Sequence, residues 1–353
     1  MKYILSEAHG IGDCILILPV AKAIKAYDKD AYIKVITRSD KNKIRINKCI
    51  MSLQSYVDDI DYYSSGEKLH SLWFLIKNML KRFDVGISIQ DFDARGTSSY
   101  PSKILRLCAK RTCGTRITKN PAVKYDEYID RVEGVKRNYL FRQAFAKLGI
   151  NLPEVDDNLL DTEKVLHRTP HLNLVHSKTV AIILGTAPVS FKTECGTLVN
   201  DAKNWPYENW IKLIKMLNDN EYNIIMLGGP KEKRELDAIG SLPVSVSIHD
   251  FIGKSPIDKS IALLTFADIV VGADTGLMHC AGALNKPSLT LFGCTDPKEY
   301  LPFGSKSKSI YKKVNCSPCF GTVSAVTCKD RKCMNGISVN EVYNTIISEL
   351  NFV

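Results

Sequence analysis

Apolar segments of strand length alternate with amphipathic segments of helix length along almost the whole chain. The alternation is clearest in the second half, where the sequence predicts strands at 179–184, 222–227, 244–248, 268–271 and 287–292, and helices at 206–217, 231–239, 256–266, 277–284 and 338–350. The first half is less regular and gives no clear pattern at 112–130, but it predicts strands at 2–6, 31–37, 56–62 and 84–89, and helices at 19–27, 69–83 and 136–148. This order is typical of βαβ units, so we expect an α/β fold with parallel sheets.

The length of the chain favours two domains. A chain of 353 residues is longer than one hydrophobic core usually supports. Residues 151–178 are polar and weakly periodic, and we place a linker at 166–178, between an N-terminal domain at 1–165 and a C-terminal domain at 179–353. Two doubly wound domains in tandem would bind ligands in a cleft at the carboxyl ends of their strands.

The net charge of +10 is unevenly shared. Residues 1–170 hold 29 Lys and Arg against 21 Asp and Glu, so +8 of the charge lies there. This excess indicates either a solvated basic surface or an anionic partner, such as a phosphorylated glycolipid or a membrane surface. We expect no nucleic-acid partner, because the basic residues are scattered and form no known motif. No apolar run reaches the ~20 residues that span a bilayer, and no signal segment precedes Lys2, so we expect a cytoplasmic protein.

The segment 268–288 is the first candidate site. Its apolar run stops at Gly272, and Asp274-Thr275-Gly276 leads into a helix of small residues that includes His279. The start of a helix presents unpaired N–H groups and partial positive charge, which suit a phosphate. An ordinary capped turn with a core histidine is the alternative.

The second candidate is the turn after the first strand, within residues 7–13. Gly10, Gly12 and Asp13 place a carboxylate at the edge of the sheet, where a general base could reach an acceptor hydroxyl. The dinucleotide-binding fingerprint requires a further glycine, and Cys14 follows instead. A capping role for Asp13 remains open.

Two further segments lie at predicted helix starts or strand ends. Lys203 precedes Trp205-Pro206 and is placed to meet a phosphate as a point charge. Gly228-Gly229-Pro230 ends a strand, where glycines let a ligand approach the backbone, although a tight turn explains them equally well. The tryptophans at 205 and 210 fit core anchors better than ligand-stacking residues.

Taken in this order, these pieces resemble glycosyltransferase family 9, which contains the bacterial lipopolysaccharide heptosyltransferases. The resemblance covers nearly the whole chain. Its weaker motifs are Gly12-Asp13 with Pro19, Lys203-x-Trp205-Pro206 and Gly228-Gly229-Pro230. Its specific motif is the run from Asp274 to His279 and the residues that follow it: Ala283, Pro287, Phe292-Gly293 and Thr295-Asp296-Pro297.

The resemblance implies a GT-B fold, in which two Rossmann-like domains face a central cleft. It implies an inverting, metal-independent transfer without a cofactor, by default of heptose from ADP-heptose. The acceptor would be an anionic glycolipid or glycan of the lipopolysaccharide core or lipid A type, with peripheral contact at the cytoplasmic face of the inner membrane. Asp13 matches the family's base, and Gly10 and Gly12 lie beside it on the acceptor side.

The resemblance also assigns a donor side in the C-terminal half. The matching residues are Thr186, Lys203, Glu232, Lys254, Asp274, Thr275, Gly276 and His279. Lys203 and the amides of Thr275 and Gly276 match groups that hold the diphosphate. Asp274 matches a contact to the donor sugar, Glu232 a carboxylate near the ribose, and Lys254 a backbone contact to the adenine.

One departure leaves other functions open. The stretch between Gly185 and Lys203 is longer than the family's usual loop, so the match at Thr186 is the weakest. An epimerase of the same fold would turn over the donor without an acceptor. A non-catalytic protein that binds a nucleotide sugar is the other alternative, and Asp13 argues against it because a binder needs no base.

Four of the eleven cysteines cluster near the C-terminus: Cys316, Cys319, Cys328 and Cys333. Four thiolates at such spacings can enclose a structural zinc ion. Reduced, unligated thiols are favoured over this zinc site, and disulfides are disfavoured because the expected compartment is reducing.

Overall fold

The computed structural model describes residues 1–351 except 7–9, 65, 90–98, 117–119, 131, 133, 194–195, 240–242 and 244. The chain forms two compact units, Met1–Asp161 and Thr162–Val353. The linker predicted at 166–178 falls in the first part of the second unit and stays a prediction, as do the domain roles.

The first unit is built on a parallel sheet of six strands in the order β3-β2-β1-β4-β5-β6. The strands are β1 Lys2–Ser6, β2 Tyr32–Arg38, β3 Asp59–Tyr63, β4 Phe83–Ser88, β5 Ala109–Thr115 and β6 Glu127–Ile129. The helices are α1 Ile11–Leu16, α2 Leu18–Tyr27, α3 Lys41–Met51, α4 Lys68–Lys81, α5 Tyr100–Cys108 and α6 Arg137–Lys147. This strand order is that of a doubly wound nucleotide-binding sheet.

The second unit repeats that order in the sheet β11-β10-β7-β12-β13-β14, and β8 and β9 form a separate antiparallel hairpin. The strands are β7 Thr179–Ile183, β8 Val189–Thr193, β9 Gly196–Asn200, β10 Asn223–Leu227, β11 Ile248–Asp250, β12 Ile269–Ala273, β13 Ser288–Phe292 and β14 Ser307–Tyr311. The helices are α7 Thr162–Leu166, α8 Tyr207–Asp219, α9 Pro230–Ile239, α10 Ile257–Leu263, α11 Gly276–Ala283, α12 Pro297–Tyr300, α13 Val323–Thr327, α14 Lys332–Asn335 and α15 Val339–Asn351. A single 3-10 turn, Leu264–Phe266, continues α10.

Burial explains why the central strands are the ones that the sequence predicts best. All residues of β7, β10, β12 and β13 are buried. Strands that are covered on both faces read as continuous apolar runs. Trp205 and Trp210 are buried in the same core, with their rings in a T-shaped contact 4.7 Å apart. The prediction that these tryptophans are core anchors is therefore confirmed.

The stretch 185–203 contains the β8–β9 hairpin, which the sequence analysis did not predict because its second strand is largely exposed and lacks a buried apolar face. Two local predictions are wrong. The strand predicted at 244–248 begins only at Ile248. The turn predicted at Gly12-Asp13 ends earlier, because both residues belong to α1. In the described part of the chain no helix is long and apolar enough to cross a membrane.

Candidate donor and base sites

The turn between β12 and α11 lies in the middle of the second sheet, where β12 pairs with β7 and β13. Thr275 has an extended backbone and is the N-cap of α11, but its side chain makes no capping hydrogen bond. The first N–H groups of a helix have no partner within it. No other described group accepts a hydrogen bond from the N–H of Thr275, Gly276 or Leu277. The turn therefore presents unpaired amides beside the positive end of the helix dipole.

Lys203 and Asp274 form a largely buried ion pair at this turn. The Lys203 Nζ lies 3.0 Å from Asp274 Oδ2, and the two side chains are 15% and 6% exposed. The Lys203 Nζ also lies 4.9 Å from the centre of the Phe320 ring, a cation–π distance. Among the described groups, no donor is aligned for a hydrogen bond with Asp274 Oδ2. The pair is therefore held by charge, and the ammonium keeps N–H groups for another acceptor.

His279 lies on the other side of the Asp274 carboxylate. Its Nε2 is 3.8 Å from Asp274 Oδ1, and its Nδ1 has no hydrogen-bond partner among the described groups. Burial raises the pKa of Asp274, but the positive charge of Lys203, with the His279 ring nearby, holds it well below its ordinary value of 3.8. Asp274 is therefore ionised at neutral pH, with both oxygens facing cationic or polar groups.

The carboxyl ends of β7 and β10 carry two more of the predicted donor residues. Thr186 follows β7, is buried, and donates from Oγ1 to Asn204 Oδ1 over 2.7 Å, so it is tied to the residue after Lys203. Glu232 lies in the first turn of α9, after β10, and its carboxylate accepts from the Gly229 N–H at 2.8 Å. A Cβ on Gly185 would meet the Glu232 carboxylate at 2.2 Å, and Gly185 has a φ of +80° that favours glycine.

Lys254 differs from these residues. It follows β11, whose end is joined to the end of β10 by the Gly253 N–H, which donates to the Gly228 carbonyl over 2.8 Å. Its own side chain is 55% exposed, and its Nζ lies 2.6 Å from Asp250 Oδ2. The backbone at Lys254 thus lies at the same edge as the other predicted donor residues, while its ammonium is committed to Asp250.

Four neighbouring strand ends therefore bring the predicted donor residues to one edge of the second sheet. Parallel strands end at a common edge, which is where open α/β sheets bind ligands. Lys203 and Asp274 are joined there by their ion pair, Thr186 is hydrogen-bonded to Asn204, and the α11 amides follow Asp274 directly in the chain. The specific donor role of each residue stays a prediction.

Asp13 belongs to the first unit and lies in the first turn of α1, just beyond the carboxyl end of β1. Its Oδ2 accepts from the Gly10 N–H at 2.9 Å, and its Oδ1 lies 2.6 Å from Arg137 Nη1. Gly10 is the N-cap, so Asp13 is not the cap but the third helical residue, which bonds back to it. Residues 7–9 of the predicted turn lie outside the described residues.

Three contact residues were missed by the sequence interpretation: Arg137, Asn204 and Phe320. Arg137 is the first residue of α6, where a positive charge opposes the helix dipole. An arginine in that position is a signal that an anionic partner lies nearby, and here the partner is Asp13. Asn204 and Phe320 carried no comparable signal, because their contacts with Thr186 and Lys203 depend on tertiary structure.

One of the C-terminal cysteines, Cys319, directly precedes Phe320, whose ring lies against the Lys203 ammonium. All ten described cysteines are free thiols, and Cys195 is outside the described residues. Burial, together with the neighbouring cysteines, raises the pKa of Cys319 to about 11. The described part of the chain holds no group of three or more His, Cys, Asp or Glu side chains arranged for a metal ion. The structural-zinc alternative stays a prediction.

Comparison with known proteins identifies the family. A family model described as glycosyltransferase family 9 (heptosyltransferase) matches residues 120–329, more than half of the chain. The chain belongs to glycosyltransferase family 9. The match contains Lys203 and the whole Asp274–His279 motif, so the predicted family is confirmed.

Bacterial heptosyltransferases match part of the chain in sequence. Lipopolysaccharide heptosyltransferase 2 of Escherichia coli (strain K12) is 29% identical over 118 residues, 33% of this chain and 34% of that protein. The chain thus spans about a third of the length of the first curated relatives in matched sequence.

Two solved structures match this chain over 99% or more of its length. The E. coli ADP-heptose LPS heptosyltransferase II has a TM-score of 0.73 at 17% identity, covering 100% of this chain and 99% of that one. E. coli heptosyltransferase WaaC with ADP has a TM-score of 0.72 at 18% identity, covering 99% and 100%. At these identities the likeness shows the fold alone, and the predicted GT-B fold is confirmed.

Proposed function

We propose that the chain is an inverting glycosyltransferase that moves heptose from ADP-heptose onto a lipopolysaccharide core or lipid A-type acceptor. Family membership and the names of the relatives support the reaction class and the sugar. The observation that carries the proposal is the Lys203–Asp274 pair beside the unpaired amides of Thr275 and Gly276. Together these groups offer one cation and several N–H donors to an anion at the carboxyl-end edge of the second sheet.

The diphosphate of the donor is proposed to bind at this turn. Its oxygens would accept from the α11 amides and from the Lys203 ammonium, which Asp274 holds in place. A charge-assisted hydrogen bond to phosphate is stronger than a neutral one. As the sugar–phosphate bond breaks, negative charge grows on the leaving ADP, and these same donors would stabilise it without a metal ion.

Asp13 is proposed as the general base. The acceptor hydroxyl oxygen attacks the anomeric carbon, its proton passes to the Asp13 carboxylate, and the bond to the diphosphate breaks with ADP leaving. One displacement inverts the anomeric configuration. Arg137 and the Gly10 amide support this role, because their contacts with the two carboxylate oxygens hold Asp13 in one orientation.

The acceptor is proposed to be an anionic glycolipid met at the cytoplasmic face of the inner membrane. The excess of +8 in residues 1–170 supports this, since a basic surface attracts phosphorylated lipid.

A panel of nucleotides tests the proposed donor. We expect ADP and ADP-heptose to raise the melting temperature more than UDP, GDP and their sugars at equal concentration, because a ligand of the folded state stabilises it by mass action. Transfer of heptose to a truncated lipopolysaccharide acceptor should follow. Preference for UDP or GDP would contradict the ADP-sugar assignment, and release of altered sugar from the donor without acceptor would indicate an epimerase.

Lys203→Ala tests the proposed diphosphate seat. Loss of a charge-assisted contact should weaken ADP binding by about 1.5–3 kcal/mol, which is about ten- to a hundredfold in Kd. Lys308→Ala is the matched control. Lys308 is a lysine of the same unit that lies in β14 and forms an ion pair with Glu349. Calorimetric titration with ADP measures both. An unchanged affinity for the Lys203 variant would remove Lys203 from the donor site.

A further inference from the structure

Helix α4 carries an apolar stripe that faces solvent instead of the core. The stripe follows helical spacing, and its members are large side chains with these exposed fractions: Leu69 86%, Leu72 56%, Trp73 66%, Ile76 41%, Met79 40% and Leu80 80%. The helix is anchored on its other face by Phe74 and Asn78, which are buried. Single exposed apolar residues are ordinary, but a contiguous set on one face marks an interaction surface.

Helix α5 extends the same surface. Both helices contact each other and pack on one hydrophobic cluster, Phe74 from α4 and Ile104 and Leu105 from α5. Their outer faces therefore lie on one side of the unit. On its outer face α5 exposes Tyr100 and Leu107, at 61% and 53%.

The charge that the residues of α4 and α5 carry has a single sign, while the acidic Glu67 directly precedes α4. Neither α4 nor α5 contains an acidic residue. Their basic residues are Lys68, Lys77, Lys81, Lys103 and Arg106, and Arg82 follows α4 directly. Within the described residues, Lys68, Lys77, Lys103 and Arg106 make no ion pair. The surface therefore places basic side chains that make no ion pair beside exposed apolar side chains, and the nearby carboxylate of Asp59 faces only Lys77 and Lys81 of this set.

We propose that the outer face of α4 and α5 docks on the surface of a bilayer that contains anionic phospholipid. An apolar stripe with Trp and Leu, flanked by Lys and Arg, is the pattern by which a helix lies in a membrane interface. The apolar side chains enter the headgroup region, and the basic residues meet the lipid phosphates. The inference rests on the membrane contact proposed above, but not on the transfer reaction.

The charge pattern favours lipid over a second copy of the chain. A twofold contact would place the same surface against itself, with lysines facing lysines and no acidic residue of α4 or α5 to offset them. A bilayer with anionic headgroups supplies both the missing negative charge and the apolar environment.

Trp73 provides a direct readout. Of the three tryptophans, Trp205 and Trp210 are buried, so a change in emission on docking reports on Trp73. With vesicles of phosphatidylglycerol and phosphatidylcholine, in the absence of donor and acceptor, we expect a blue shift of emission and co-sedimentation. Binding should weaken about tenfold or more when phosphatidylglycerol is omitted or salt is raised, because the basic residues act through the surface potential.

Two variants with a matched control complete the experiment. Leu72→Glu and Leu80→Glu keep Trp73 but should abolish the blue shift and the co-sedimentation. Val246→Glu makes the same kind of change at a residue of the second unit that is 80% exposed, and it should bind as wild type does. Melting curves of all three should match wild type, since none of these side chains is buried.

Several outcomes would overturn the proposal. Absence of a blue shift with anionic vesicles would do so, as would equal binding to pure phosphatidylcholine. A blue shift that depends on protein concentration without vesicles, with dimers in sedimentation, would assign the surface to a second copy. If Leu72→Glu and Leu80→Glu lose vesicle binding but still transfer sugar to a soluble acceptor fragment, the lipid contact is supported. If the wild type binds vesicles but transfers no sugar, only the proposed function is rejected.

Discussion

Replacing Asp13 with asparagine is expected to lower the rate of sugar transfer by about 10²–10⁴-fold, the usual contribution of a general base. Asparagine keeps the shape and an oxygen that can accept from the Gly10 amide, but it cannot take the proton of the acceptor hydroxyl. The affinity for ADP should stay within error, because the groups proposed to hold the diphosphate are Lys203 and the α11 amides and do not include Asp13. Single-turnover transfer and calorimetric titration with ADP measure the two quantities separately.

The contact with Arg137 makes a charge-matched control necessary. Removal of the Asp13 charge leaves the Arg137 guanidinium without that partner, and the fold could suffer for this reason alone. Asp156→Asn removes another carboxylate of the first unit that pairs with a basic residue, Lys22. The control should transfer at the wild-type rate. A near wild-type rate for the Asp13 variant, with melting unchanged, would reject Asp13 as the base.

Core strands and the donor turn could be predicted from the sequence because their determinants are local. β12 is a buried apolar run, and α11 begins at Gly276 among small residues that let it pack closely. A Cβ on Gly272 would lie 2.9 Å from the Met278 sulfur, which shows how close this packing is. Burial on both faces and the need for a small residue are readable in one segment.

Contacts between distant segments could not be predicted in the same way. Lys203 meets Asp274 across 71 positions of sequence, and Asp13 meets Arg137 across 124. Periodicity fixes the helices that carry these residues, but not which side chains meet. The sequence thus indicated two separate candidates for a phosphate seat, and tertiary structure joined them as one ion pair.

The face that a helix buries was also beyond the sequence pattern. The apolar spacing of α4 is typical of a helix that packs on the core, yet the helix buries Phe74 and Asn78 instead. Asn78 can be buried because its side-chain amide donates to the Phe74 carbonyl at 2.7 Å. A regular apolar stripe predicts the helix, but it does not distinguish the core from another apolar partner.

Asp274→Asn is expected to destabilise the second unit by about 3 kcal/mol, because removal of one partner leaves the largely buried Lys203 ammonium without its counter-charge. A loss of this size lowers the melting temperature by about 6–12 °C in a unit of this length. The variant should also bind ADP more weakly, since the carboxylate no longer holds the ammonium at the α11 turn. A loss of less than about 1 kcal/mol in the free energy of unfolding is typical of an exposed ion pair. Such a result would contradict a buried Lys203–Asp274 pair.

The double variant Lys203→Met with Asp274→Asn separates lost charge from lost packing. Replacing both partners removes the uncompensated charge, so stability should recover towards wild type while ADP binding stays weak.

The pH dependence of stability gives an independent check. Because the pKa of Asp274 is held below 3.8 in the folded chain, its contribution is complete above the unfolded pKa and is lost as the pH falls towards the folded pKa. The stability gap between wild type and Asp274→Asn should therefore be constant between about pH 5 and 8 and shrink below about pH 4. A gap that persists unchanged in acid would mean that the asparagine acts through packing and not through the ion pair.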